Sequence, residues 1–153
     1  MVTKIFFVGN PLGGDDGIGP FLYNELKDDS RLKDNGNYEL LELGVIGLDM
    51  INYVTDGDNL IIVDAVYSNE NVGEVILVDE KGFESDLKVA SMHDFGVEET
   101  VKILENHVDL KSIKLIGVKV RNINKMSLKL SDEIMQKKDS IIDDVVRLIK
   151  KCV

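Results

Sequence analysis

The stretch that most constrains the fold lies near the N-terminus. Ile5 to Val8 is a continuous apolar run, the pattern of a strand buried on both faces. It ends in Gly9-Asn10-Pro11-Leu12-Gly13-Gly14-Asp15-Asp16-Gly17, a loop in which glycine opens backbone conformations barred to residues with a Cβ. Ile18, Leu22 and Leu26 then recur at helical spacing, and Pro20 is tolerated in a helix's first turn. The strand–loop–helix pattern continues down the chain. Tyr38–Leu43, Leu60–Val63, Val75–Val78 and Ser112–Val120 read as further strands, and Glu74 and Asp79 mark Val75–Val78 as an edge. Between and after them come helical stripes: Leu48, Ile51 and Val54; Val97, Val101 and Leu104; and Ile134, Ile141, Val145, Leu148 and Ile149 on one last helix. Lys27–Asn37 reads as a polar connection. The expectation is an α/β fold: one domain over residues 1–153, a three-layer sandwich with a mainly parallel sheet and helices on both faces.

A glycine-rich loop after a strand commonly cradles phosphate on backbone N–H groups. This one does not fit that use. No Gly-Lys-[Ser/Thr] follows, and Gly14, Gly17 and Gly19 give G-x-x-G-x-G, the reverse of the dinucleotide fingerprint. Asp15 and Asp16 would repel a phosphate. Adjacent carboxylates suit a cation or a water to be activated. The plainer reading is a helix start, with one Asp as cap and the other complementing the dipole.

Leu60–Val63 ends in Asp64-Ala65-Val66, an acid at the carboxyl end of an apolar strand, the edge where open α/β sheets bind ligands. A strand-terminal Asp that begins a turn is the alternative. His93 is one of two histidines and precedes a helix; His107, at that helix's far end, reads as solvated. The net charge of −10 argues against nucleic acid and anionic membranes and favours a cationic peptide or a metal. No apolar run is long enough to span a bilayer, and the N-terminal run is too short for a signal peptide. The single cysteine, Cys152, excludes an internal disulfide framework and a cysteine-based metal site, and fits a reduced cytoplasm.

Gly9-Asn10-x-Leu12-x-x-Asp15-Asp16-Gly17-x-Gly19 resembles the G-N-x-L-x-x-D-[DE]-G-x-G opening of the hydrogenase maturation endopeptidases. Asn59–Ala65 resembles that family's L-x-x-x-D-A segment, and Ser91-x-His93-x-x-Gly96 its third ligand segment. Ser127-Leu128-Lys129-Leu130-Ser131 resembles its G-L-x-L-S lead-in to the last helix, with Ser127 in place of glycine. Val45 departs from the family's Gly-Thr pair, and Val120-Arg121-Asn122 lacks its proline. The resemblance implies a cytoplasmic, monomeric protease that trims the C-terminal extension of a nickel-iron hydrogenase large-subunit precursor. It also implies a site of Asp16, Asp64 and His93 facing nickel presented by the substrate, where another divalent metal can substitute.

Two carboxylates and an imidazole can hold a divalent first-row metal with positions left for water or substrate. No His-Glu-x-x-His motif and no recognisable Ser or Cys nucleophile setting appear. Two mechanisms stay open. A bound metal polarises the carbonyl or its water, or the ligands read nickel in the precursor while a carboxylate acts as base. A non-catalytic nickel-delivery module would use the same ligands, and a nucleotide-binding protein is the more distant rival. Asp15 is expected to order the loop and Asp16 to face the ligand, so that Asp15→Asn costs about 1 kcal/mol or less.

Overall fold

A computed structural model describes residues 2–33, 37–44, 48–79, 97–121 and 126–152. Strands β1 (Thr3–Val8), β2 (Tyr38–Gly44), β3 (Asn59–Tyr67), β4 (Val75–Val78) and β5 (Ser112–Val120) form one sheet in the order β2-β1-β3-β5-β4. All neighbours run parallel except β4, which lies antiparallel at the edge against β5. The expected α/β architecture and the edge position of Val75–Val78 are both present.

The alternation of side chains along buried strands divides the core between two faces. Ile5, Phe7, Ile61, Val63, Ile116 and Val118 face one way. They pack under Ile18, Leu22 and Leu26 of α1 (Ile18–Leu26) and the Ile141, Val145 and Ile149 stripe of α5 (Lys138–Lys151). Phe6, Val8, Leu60, Ile62 and Leu115 face the other way, under Val101 and Leu104 of α3 (Val97–His107) and Met50 of a 3-10 turn, Leu48–Tyr53. Fully burying such a side chain contributes about 1.5–3 kcal/mol. Helix α1 lies so close to β1 that a Cβ on Gly19 would come 2.0 Å from the Val8 carbonyl oxygen. Glycine is what permits that approach.

Three local expectations change. The stripe read as one last helix is two, α4 (Asp132–Met135) and α5, because the Lys137 N–H closes on the Ile134 carbonyl in a tighter turn. The buried stripe is nonetheless continuous from Ile134 to Ile149. The polar connection after α1 contains a one-turn helix, α2 (Ser30–Lys33), started where the Asp29 carboxylate accepts the Arg31 N–H at 2.9 Å. Of the stripe expected at Leu48, Ile51 and Val54, Val54 is buried just past the 3-10 turn and Ile51 packs on the same core while half-exposed, and Met50 of the turn is fully buried beside them. Val45 and the segment Ser91–Gly96 lie outside the described residues. Among the described residues no helix is long and apolar enough to cross a membrane.

Candidate functional site

The strand order places a crevice at the carboxyl end of β1. From β1 the chain passes through α1, on one face, to β2 on one side; it then crosses through the 3-10 turn, on the opposite face, to β3 on the other side. Such a reversal of strand order is where doubly wound sheets bind their ligands. Asp16 comes from the loop after β1. Asp64 comes from β3, one residue past Val63, the last residue paired with β1.

Asp64 does not end its strand. β3 continues through Ala65, Val66 and Tyr67, because β5 extends alongside it as far as the Tyr67–Val120 pair. The reading of a turn-starting Asp is therefore set aside. Asp64 is 0% exposed, and its Oδ1 accepts the Ala65 N–H at 2.7 Å.

The acidic loop is built without a side-chain cap. The residues that enter its 3-10 turn (Gly14–Gly17) and α1 are Gly13 and Gly17, so neither Asp caps its own helix. Gly9 turns the chain at φ 152°, and a Cβ there would lie 2.2 Å from the Asp16 carbonyl oxygen. Asn10 Oδ1 accepts the Leu12 N–H at 3.0 Å.

Asp15 reaches across the molecule. Its Oδ1 accepts the Ser131 N–H and its Oδ2 the Ser131 hydroxyl, both at 2.7 Å. The same hydroxyl oxygen accepts the Ile134 N–H and caps α4. Gly14 donates to the Ser127 carbonyl at 2.8 Å and Ser127 to the Leu12 carbonyl at 2.9 Å. Residues 127–131 thus clamp the loop.

Asp16 is oriented otherwise. Its Oδ2 accepts the Tyr67 hydroxyl at 2.8 Å. Burial pushes the Tyr67 phenol well above its ordinary value of 10.0, helped by the bond to Asp16 and by the charges of Asp16 and Asp64. Both carboxylates therefore act electrostatically on one hydroxyl. Tyr67 was not singled out from sequence, where an aromatic in an apolar strand reads as core.

Asp15 and Asp16 line a cavity of about 330 Å³ together with Arg121, Lys129, Ser131 and Asp132. Arg121 pairs with Glu133 at 3.1 Å. Lys129, Leu130 and Asp132 also line a neighbouring cavity of about 450 Å³, walled by Pro11, Phe21, Leu128 and Met135. Leu12, Met126, Leu128 and Met135 are 48%, 76%, 80% and 43% exposed, four of the five exposed large apolar side chains among the described residues. Each belongs to the acidic loop, to the clamp or its flank, or to α4.

Of the expected trio, Asp16 and Asp64 come to one sheet edge and His93 lies outside the described residues. Among the described residues no group of three or more His, Cys, Asp or Glu side chains could hold a metal. His107 is exposed at the end of α3, with its Nδ1 2.8 Å from the Ile103 carbonyl.

Several known proteins are similar to this chain. The E. coli hydrogenase maturating endopeptidase HybD superposes with a TM-score of 0.74 at 21% identity, covering 99% of this chain and 94% of that one. A [NiFe] hydrogenase maturation protease HybD from Thermococcus kodakarensis gives 0.71 at 22% identity, covering 99% of both. At these identities the likeness shows the fold. The hydrogenase expression/formation protein HupD of Bradyrhizobium diazoefficiens is 31% identical over 96 residues, 61% of this chain and 49% of its own length, so the match spans about half of that relative. The family model described as hydrogenase maturation protease (HycI) matches residues 21–148, from just inside α1 nearly to the end of α5. With strands β2 to β5, most of the helices and the lead-in to α4 inside that span, the chain belongs to the hydrogenase maturation protease family.

Proposed function

We propose that this chain is an endopeptidase that removes the C-terminal extension of a nickel-iron hydrogenase large-subunit precursor after nickel has been inserted. The observation that carries the reading is Asp16, held in an open cavity at the strand-order reversal, with Asp64 on the adjoining strand and an apolar groove alongside. Nickel here belongs to the substrate. Asp16, Asp64 and His93 are the proposed donors that meet it, a carboxylate and imidazole set suited to a first-row divalent ion. A carboxylate of the pair takes the proton from the water that attacks the scissile carbonyl. The groove beside it, with Leu128 and Met135 on its wall, holds the polypeptide next to the cut.

That groove also weighs against a nickel-delivery module, which has no need of an apolar channel next to its donors. Mass spectrometry of the precursor separates the two readings. The nickel-loaded precursor loses its extension on incubation with this chain and the nickel-free precursor does not. An intact nickel-loaded precursor, with nickel passed between the two proteins, would establish the delivery reading. His93→Ala abolishes cutting in a chain that stays folded, with His107→Ala as the control that cuts normally.

A further inference from the structure

Tyr67 has no part in the reading above, yet it bonds one of the site's two acids from the strand that carries the other. It lies three residues beyond Asp64 on β3, past the last pair with β1, and its backbone is fixed by pairing with Val120. The next residue continues that attachment, with the Ser68 N–H donating to the Val120 carbonyl at 2.8 Å. From this anchored position the Tyr67 hydroxyl donates to Asp16 Oδ2 at 2.8 Å. An ionised carboxylate can only accept, so the phenol O–H is the donor in this bond.

An aspartate carboxylate rotates in a broad torsional well, and Asp16 sits in a glycine-rich loop. A donor mounted on a strand removes that freedom. We infer that Tyr67 is the positioning residue through which β3 sets the plane of the Asp16 carboxylate. Asp64 and Tyr67 share the strand, so a single rigid element holds one acid and aims the other. Tyr67 works through Asp16 and touches neither metal nor peptide. The inference rests on the proposed role of Asp16.

The test uses Ni2+ alone as the ligand in calorimetric titration, and nickel-loaded precursor for kinetics, on wild type, Tyr67→Phe, Asp16→Ala and the double variant. Tyr67→Phe keeps its circular dichroism and binds Ni2+ about 10- to 100-fold more weakly, as loss of a hydrogen bond to a ligand usually does. Its kcat falls by more than its KM rises. On the Asp16→Ala background the same change leaves Ni2+ affinity and turnover unaltered. A purely structural tyrosine would lower the melting temperature equally in both backgrounds without touching Ni2+ affinity, and that pattern overturns the inference. So does a Tyr67→Phe chain with wild-type affinity and kcat, while loss of both in Asp16→Ala leaves the Asp16 reading standing. Wild-type binding and turnover in Asp16→Ala overturn the proposed site and the inference with it. If wild type takes up no Ni2+, the ligand set fails and the kinetics alone judge Tyr67. Should Tyr67→Phe not fold, proton spectra decide. A slowly exchanging phenolic proton present in wild type and lost in Asp16→Ala supports the bond, and its absence from wild type overturns it.

Discussion

Because Asp15 accepts both the N–H and the hydroxyl of Ser131, changing it loosens a join between positions 116 residues apart in the chain. An asparagine there keeps one acceptor and turns an amide N–H₂ towards the other donor. Asp15→Asn should cost about 1–2 kcal/mol, more than a simple loop role implied. Ser131→Ala removes the hydroxyl half of that join and the α4 cap for a similar cost, while the N–H at 131 still donates to Asp15. The double variant should then lose clearly less than the sum, a coupling that denaturant midpoints measure directly. Full additivity would show that the two residues act separately. Tyr67 gives a second prediction at this scale. Its phenol titrates higher in the folded chain than its ordinary 10.0, so its stabilising contribution is complete below that pH and is lost as pH rises above it. The stability difference between wild type and Tyr67→Phe should stay constant to about pH 9 and shrink beyond pH 10, as urea midpoints across that range would reveal. A difference that widens with alkali would contradict the assignment.

At the scale of elements, Gly19 and Leu128 make opposite predictions. Gly19→Ala drives a methyl into the Val8 carbonyl, where neither strand nor helix can yield cheaply. It should cost about 3 kcal/mol and show as a lowered unfolding midpoint. Leu128→Ser, at an exposed position, should change stability by no more than about 0.5 kcal/mol. It should instead raise KM for the precursor several-fold, because the groove loses part of its wall. The strands were legible because parallel strands buried on both faces read as unbroken apolar runs. Tyr67 was not legible, since its value lies in a bond to a loop 51 residues away. The Asp15–Ser131 join was hidden for the same reason: local patterns allow each residue to be a cap, and only the fold shows Ser131 capping a helix while Asp15 holds Ser131. Four-residue α2 and the break at Gln136–Lys137 fall below the length at which periodicity speaks.

For the whole molecule, the strand order turns two separate sequence segments into one candidate site. The loop after β1 and the far end of β3 meet because β1 lies between β2 and β3. Asp64 was conspicuous in the sequence as an acid at the end of an apolar run, and Asp16 as one of an acidic pair in the glycine-rich loop that the family resemblance singles out. That β3 outruns β1, so that Asp64 is buried within a strand, required the register. The most direct measurement is intact-mass analysis of nickel-loaded precursor incubated with wild type, Asp16→Asn and Asp64→Asn, each confirmed as folded by circular dichroism. The account predicts that wild type removes the C-terminal extension and that each variant leaves the precursor at full mass. Cutting at the wild-type rate by both folded variants would contradict it.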